Sequence, residues 1–264
     1  MIRSTKTVLG LALAALLAAC GGEEGASRTL RVGATPVPHA EILEHVKPLL
    51  AREGIELEVV TFTDYVQPNL ALAAGELEAN YFQTIPYLES FNRDRRADLT
   101  PVARVHVEPM GLYSGKIKSL ASLPNGATIA LPSDPTNTGR ALLLLQSAGL
   151  LKLRPDAGVD ASVLDVADNP RGLRFTELES AQLPRALPDV DAAVINTNFA
   201  LEAGLNPTRD ALAVEGANSP YVNVLAVNGK TDDPRIQALT RALTGPEVRG
   251  FIQERYRGAV LPGK

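Results

Sequence analysis

The densest group of chemistry-bearing residues in the sequence is DPTNTGRALLLLQ, residues 134–146. Asp134 suits a helix N-cap and Pro135 the first helical position, so the stretch predicts a helix with a polar first turn and an apolar body. The amides of Thr136 and Asn137 would then lack intrahelical partners and carry the positive end of the helix dipole. Such an end is a ready seat for an anion. Asn137 and Arg140 are three residues apart and share a helix face. The Arg140 guanidinium offers a planar fork that holds a carboxylate by two parallel hydrogen bonds. Gly139 would let a ligand or a facing lobe approach the backbone. The residues alone leave a second reading open, with Arg140 a solvated arginine above a well-capped helix.

Catalytic chemistry finds less support. No GxSxG nucleophile motif occurs. Of the three histidines, His39 and His45 are six residues apart and do not share a helix face, which argues against a paired zinc site on one helix. No carboxylate pair is marked out as acid and base. The expectation is a protein that is not an enzyme and carries no metal or cofactor. The rival is an exported lipoprotein enzyme acting on an amino-acid derivative. A surface structural protein would show repeats or low-complexity arms, and none is present. The net charge of −4 comes without a basic stripe, which argues against nucleic acid as partner.

The elements that must position these residues follow from periodicity. TLRVGAT (29–35), ELEVVTF (56–62), ATIALP (127–132), FTELE (175–179), DAAVIN (191–196) and YVNVLAVN (221–228) read as strands. ANYFQTIPYL (79–88) passes from strand to helix, and ARVHVEPMGLYS (103–114) is extended. Helices are expected over roughly 38–53, from Pro68 to about Ala74, and near 234–243 and 246–256. Strands alternating with helices imply an α/β fold of mostly parallel sheets. Alternation restarts near residue 127 after a long extended segment, which suggests two lobes. The boundaries expected are 29–112 for the first part of lobe 1, 113–222 for lobe 2 and 223–264 for the return to lobe 1.

The N-terminus differs. MIRSTKT is basic, and VLGLALAALLAA (8–19) is an apolar run of 12 residues, short of the roughly twenty that span a bilayer. With LAAC (17–20) it reads as a signal peptide, 1–19, ahead of Cys20, the sole cysteine. This resembles the bacterial lipobox, which implies lipidation of Cys20 and a flexible tether, 20–28. The chain would then be anchored to a membrane of the bacterial cell envelope, facing the periplasm or the extracellular side.

From about residue 30 onward, VTFTDYVQPNLALAAGELEANYFQTIPYL, VHVEPMGLYSGKIKSL, LPSDPTNTGRALLLLQSAGLLKL, VLDVADNPRGLRFTELESAQLPRAL, AVINTNFALEAGL and SPYVN resemble the NlpA/MetQ family of lipid-anchored methionine-binding proteins of ABC importers. The resemblance implies a two-lobed periplasmic-binding-protein fold, type II-like, with the ligand cleft between lobes. It implies an ABC permease and its ATPase as partners. It puts Arg140 on the ligand carboxylate, and Asn196 and Asn223 on the amino and carboxylate groups. Tyr65, Phe82 and Tyr87 would wall the side-chain pocket. Read without the family, Phe82 and Tyr87 also fit core aromatics, Asn196 a helix cap and Tyr65 a surface staple. Met110 and Tyr81 fit core packing or a supporting place near the pocket. The family usually has histidine where Thr84 stands, so the ligand is methionine, a close derivative such as D-methionine or a methionine dipeptide, or another apolar amino acid.

Overall fold

The computed structural model describes residues 28–216, 219–229 and 232–263. The leader, Cys20 and all but the last residue of the tether lie outside the described residues. No helix among the described residues is long and apolar enough to cross a membrane.

Two mixed sheets organise the chain. The first runs β13 (Leu261–Pro262), β4 (Leu99–Val107), β12 (Val222–Asn228), β3 (Ala79–Thr84), β1 (Thr29–Ala34), β2 (Glu56–Thr61). The second runs β11 (Ala213–Val214), β5 (Gly111–Tyr113), β10 (Ala192–Ile195), β6 (Thr128–Pro132), β9 (Arg174–Leu178). A short antiparallel ribbon joins β7 (Lys152–Leu153) and β8 (Val166–Asp168). Strands linked by helices pair in parallel: β1 with β2 and β3, β6 with β9 and β10. The antiparallel pairings between β12 and β3, β12 and β4, and β5 and β10 belong to the strands flanking the passages between sheets.

Helices cover both faces of each sheet. In lobe 1, α1 (Glu41–Arg52), α8 (Pro234–Thr244) and α9 (Pro246–Tyr256) cover one face, and α2 (Gln67–Ala73) and α3 (Ile85–Arg95) the other. In lobe 2, α4 (Pro135–Ser147) packs on one face, with α5 (Leu183–Ala186) and α6 (Thr197–Glu202) on the other, and α7 (Pro207–Asp210) follows. Ile42, Leu43, Val46 and Leu50 recur at helical spacing on the buried side of α1. In β12 the apolar run divides by strand period: Val224 and Ala226 enter one core, Leu225 and Val227 the other. Proline opens the first turn of α2 to α5 and α7 to α9, where its missing N–H costs nothing.

The expected boundaries at 112/113 and 222/223 fall inside strands. Gly111 and Leu112 already pair in the second sheet, and Val222 already pairs in the first. The described residues of the passages are 108–110 on the first and 215–216 and 219–221 on the second. Pro109 and Pro220, which cannot donate to a ladder, sit within them.

Helix α4 is fastened at its start. Asp134 accepts from the Asn137 amide at 2.9 Å, and the Thr138 hydroxyl donates to the carbonyl of Pro132 at 2.7 Å, tying the helix to β6. Gly139 does not face a ligand or the other lobe. A Cβ there would lie 2.2 Å from the Val159 carbonyl oxygen, so the same-lobe backbone at 159–161 requires glycine. Gly139→Ala would gain about 1 kcal/mol of helix propensity, yet the contact is with backbone that must move. Overpacking of this kind costs roughly 1–3 kcal/mol. Urea denaturation is expected to show a less stable variant; stability at or above that of the parent contradicts this packing.

Candidate functional site

Strand register brings the site together. In β12, Asn223 sits opposite Thr84 of β3 on one side and His106 of β4 on the other. β3 thus delivers Phe82 and Thr84 to the cleft edge, and α3, which starts at Ile85, delivers Tyr87. Thr84 is the N-cap of α3, but its side chain makes no capping bond. Behind this edge Asn69, Asn80 and Gln83 form a buried amide cluster with bonds of 2.7–2.9 Å. From lobe 2, α4 supplies Asn137 and Arg140. The turn from β10 into α6 supplies Asn196, Thr197 and Asn198. Between the lobes these residues, with Tyr65, Gln83 and Glu108, line one cavity. All eight residues expected at a ligand site, Tyr65, Phe82, Thr84, Tyr87, Asn137, Arg140, Asn196 and Asn223, line this one cavity.

The aromatic side closes across the cleft. Tyr65, from lobe 1, packs its ring 5.0 Å from Phe199 of α6 and donates its hydroxyl to Asn198 Oδ1 at 2.6 Å. Phe82 and Tyr87 lie 5.9 and 5.7 Å from the Tyr65 ring, and the Tyr87 hydroxyl donates to the Tyr65 carbonyl. Tyr65 is therefore an inter-lobe contact and not a surface staple. Met110 and Tyr81 are fully buried and outside the cavity lining.

The polar side corrects two expectations. The anion at the α4 N-terminus is the protein's own Asp134, whose carboxylate takes the Asn137 amide and side chain. Arg140 is 4% exposed, which rules out a solvated arginine, but its fork is already engaged. Nε and Nη2 donate to the two oxygens of Glu215 at 3.2 and 2.5 Å, and Nη2 also donates to the Glu108 carbonyl at 2.7 Å. Its guanidinium carbon lies 4.3 Å from the centre of the Tyr221 ring. Only Nη1 is left without a partner among the described residues, so a second carboxylate cannot take the paired edge.

Asn196 opens α6 without a side-chain cap. Its Nδ2 donates to Asn137 Oδ1 at 2.8 Å, while its Oδ1 is buried without a partner. Asn198 Nδ2 is also buried without a partner. An unpaired buried polar atom costs about 1–3 kcal/mol, and these two are the ones on residues that line the cavity.

Glu108, 5% exposed, stands at the floor. Two imidazoles reach its Oε1: His106 Nε2 at 2.7 Å and His39 Nε2 at 3.2 Å, with His39 Nε2 also 3.0 Å from Asn223 Oδ1. The far nitrogens meet hydroxyls, His39 Nδ1 that of Thr35 and His106 Nδ1 that of Tyr81. Each ring thus donates toward Glu108 and accepts from a hydroxyl, the arrangement of a neutral imidazole. Burial pushes His39 down to about 4, against a partial opposing pull from Glu108, and His106 down to about 3. Burial raises Glu108, while His39, Arg140 and the Asn198 backbone amide pull it back. His39, His106 and Glu108 are also the group of metal-ligating type among the described residues, with ligand atoms within 4.8 Å of one another. Their hydrogen bonds account for the convergence without an ion.

Sequence reasoning did not single out Glu108, Glu215, Asn198 or the meeting of His39 with His106. A carboxylate ending the extended VHVEP, and the second asparagine of INTN, were the available signals.

Comparison with known proteins fits this geometry. The family model described as NlpA lipoprotein matches residues 30–264. The chain belongs to the NlpA lipoprotein family. Within and around this family, membrane lipoprotein TpN32 of Treponema pallidum is 46% identical over 87% of this chain and 86% of its own length. The methionine-binding lipoprotein MetQ of Bacillus subtilis is 41% identical over 96% of this chain and 95% of its own. A nutrient binding protein from Burkholderia cenocepacia, solved bound to methionine, superposes with a TM-score of 0.86 at 46% identity, covering 89% of this chain and 100% of that one. The two-lobed substrate-binding-protein fold is thus common to this NlpA chain and its solved relatives.

The histidine pair generates a pH prediction. In the unfolded chain both imidazoles titrate near 6.5; in the folded chain they do so near 4 and 3. Between these values the unfolded state binds more protons, so their contribution to stability falls as pH drops below 6.5. Glu108, raised by burial, works in the opposite direction above its ordinary 4.5. Thermal melting of His39→Gln and His106→Gln between pH 7 and 5 is expected to lose stability less steeply on acidification than the parent. Unchanged slopes in both variants contradict the assignment.

Proposed function

We propose that this chain is the lipid-anchored substrate-binding protein of an ABC importer, capturing methionine or a close derivative by closure of the two lobes. The observation that carries the reading is the pair of unpartnered buried atoms, Asn196 Oδ1 and Asn198 Nδ2, beside a wall of Tyr65, Phe82 and Tyr87. A zwitterion completes the polar set. Its ammonium meets Glu108 and Asn196 Oδ1, and its carboxylate meets Arg140 Nη1, Asn198 Nδ2 and the amide nitrogen of Asn223. A flexible thioether suits the aromatic side. Support also comes from the relatives whose names or titles state methionine binding.

The mechanism is capture without chemistry. Both imidazoles stand behind Glu108, bonded at each nitrogen and outside the cavity lining, so neither serves as a base for a bound ligand. The closed protein, held to the membrane through Cys20, would dock on a permease and release its cargo as the lobes part. Energy comes from ATP hydrolysis by a partner ATPase. Thr84 at the cavity edge sets how much bulk the pocket admits among methionine, D-methionine and a methionine dipeptide.

Calorimetry on the purified protein is expected to show binding of methionine and weaker binding of norleucine, with none of aspartate or lysine, whose charges would be buried unpaired. Arg140→Ala removes a buried charged contact of the kind worth about 2–5 kcal/mol and is expected to weaken methionine binding more than tenfold. Arg140→Lys is expected to weaken it as well, because a single ammonium cannot hold both Glu215 oxygens and the Glu108 carbonyl and still donate to a ligand. Aspartate binding without methionine binding, or full affinity in both variants, overturns the reading.

A further inference from the structure

We propose that the charged determinant of binding is the ligand's ammonium group and not its carboxylate, so that the cleft takes amines and amides of the methionine type and rejects the deaminated acid. This rests on the reading of the cavity as a methionine site and names the ligand class more narrowly.

The charges in the closed cleft do not cancel. Among the described residues lining the cavity, Arg140 is the one cation. Glu215 takes its Nε and Nη2 with both carboxylate oxygens, and the Ser219 hydroxyl and the Met110 amide hold those oxygens in place at 3.2 Å each. Arg140 and Glu215 are therefore a closed, neutral pair. Glu108 remains, buried in the cavity floor, and the imidazoles beside it supply N–H groups without charge. Of the two further pockets that adjoin Tyr87, one carries Asp64, Asp134 and Glu179, and the other Asp94, Asp134 and the cation Arg95, so acidic side chains predominate there as well. An occupied cleft with a buried anion and no cation of its own needs one from the ligand, because a buried charge left unpaired is strongly unfavourable.

The two ends of the ligand then meet unlike surroundings. At the amine end stand a carboxylate and the unpartnered acceptor Asn196 Oδ1. At the carboxyl end the donors left over are Arg140 Nη1, Asn198 Nδ2 and the side-chain amide nitrogen of Asn223. Each bonds a neutral amide carbonyl as readily as a carboxylate, so the negative charge of the ligand is not required there. A cleft with a free Arg140 fork would rank the two ends the other way round.

The test uses the full-length lipoprotein purified in detergent and two truncated ligands, each smaller than methionine. Methylthiopropylamine lacks the carboxylate, and methylthiobutanoate lacks the amine. Isothermal calorimetry is expected to show the amine binding at least about tenfold tighter than the acid, with methioninamide close to methionine, in keeping with the cost of an uncompensated buried charge. A gap below tenfold, or a reversed order, overturns the inference while methionine binding itself leaves the proposed function standing. Failure of methionine to bind overturns both. Glu215→Gln separates charge from fit: it returns a net positive charge to Arg140, so the gap is expected to narrow. A gap unchanged in Glu215→Gln overturns the charge argument.

Discussion

The buried pair between Arg140 and Glu215 is the constraint on which the rest of the site depends. Arg140 belongs to lobe 2, through α4. Its partners are the Glu108 carbonyl on the first passage between lobes and Glu215 on the second, with the Tyr221 ring against its guanidinium. Glu215 in turn bonds Met110 through both its amide and its carboxylate. One side chain therefore ties both passages to the helix that lines the cleft. Burying such a pair is costly unless its geometry is well satisfied, and here the bonds to both oxygens and to a backbone carbonyl meet that condition. This joint fixes both passages against lobe 2, while Tyr65 of lobe 1 closes on Asn198 and Phe199 across the cleft.

Once Arg140 is satisfied internally, the character of the cavity changes. A free guanidinium would make the cleft an anion site. A neutralised one leaves Glu108 and the two orphan amide atoms to decide what enters. On the proposed function, the aromatic side, closed by the Tyr65 contact to Asn198 and Phe199, takes the apolar tail of the ligand. The bonded, neutral histidines behind Glu108 hold its carboxylate in place without offering a reactive group. Capture and release, with no bond made or broken, is the behaviour such a site supports.

Much of this was legible in the sequence, and the reasons for what was not are physical. Helix starts were clear because proline and the Asp134 cap act locally. Strand and helix alternation was clear because each core reads as a period. The lining residues were reached through long motifs, and all eight face one cavity. What stayed hidden depends on register and on distant pairing. The Asn137 amide looked like an open anion seat, but Asp134, three residues earlier, fills it. The Arg140 fork looked free because Glu215 lies far along the chain. His39 and His106 meet only because β12 sets Asn223 between β3 and β4. Gly139 was recognised as a close approach, but the backbone that approaches comes from within the same lobe.

An α-amino compound with an apolar tail is proposed to complete the buried polar atoms left unpaired between the lobes. The most direct measurement is the identity of the small molecule released when protein purified from cells is unfolded, read by mass spectrometry and counted against protein. Methionine or an amine-bearing derivative of it, up to one per chain, is expected. Release of a compound without a free amine, or of a sugar or dicarboxylate in that amount, would contradict it.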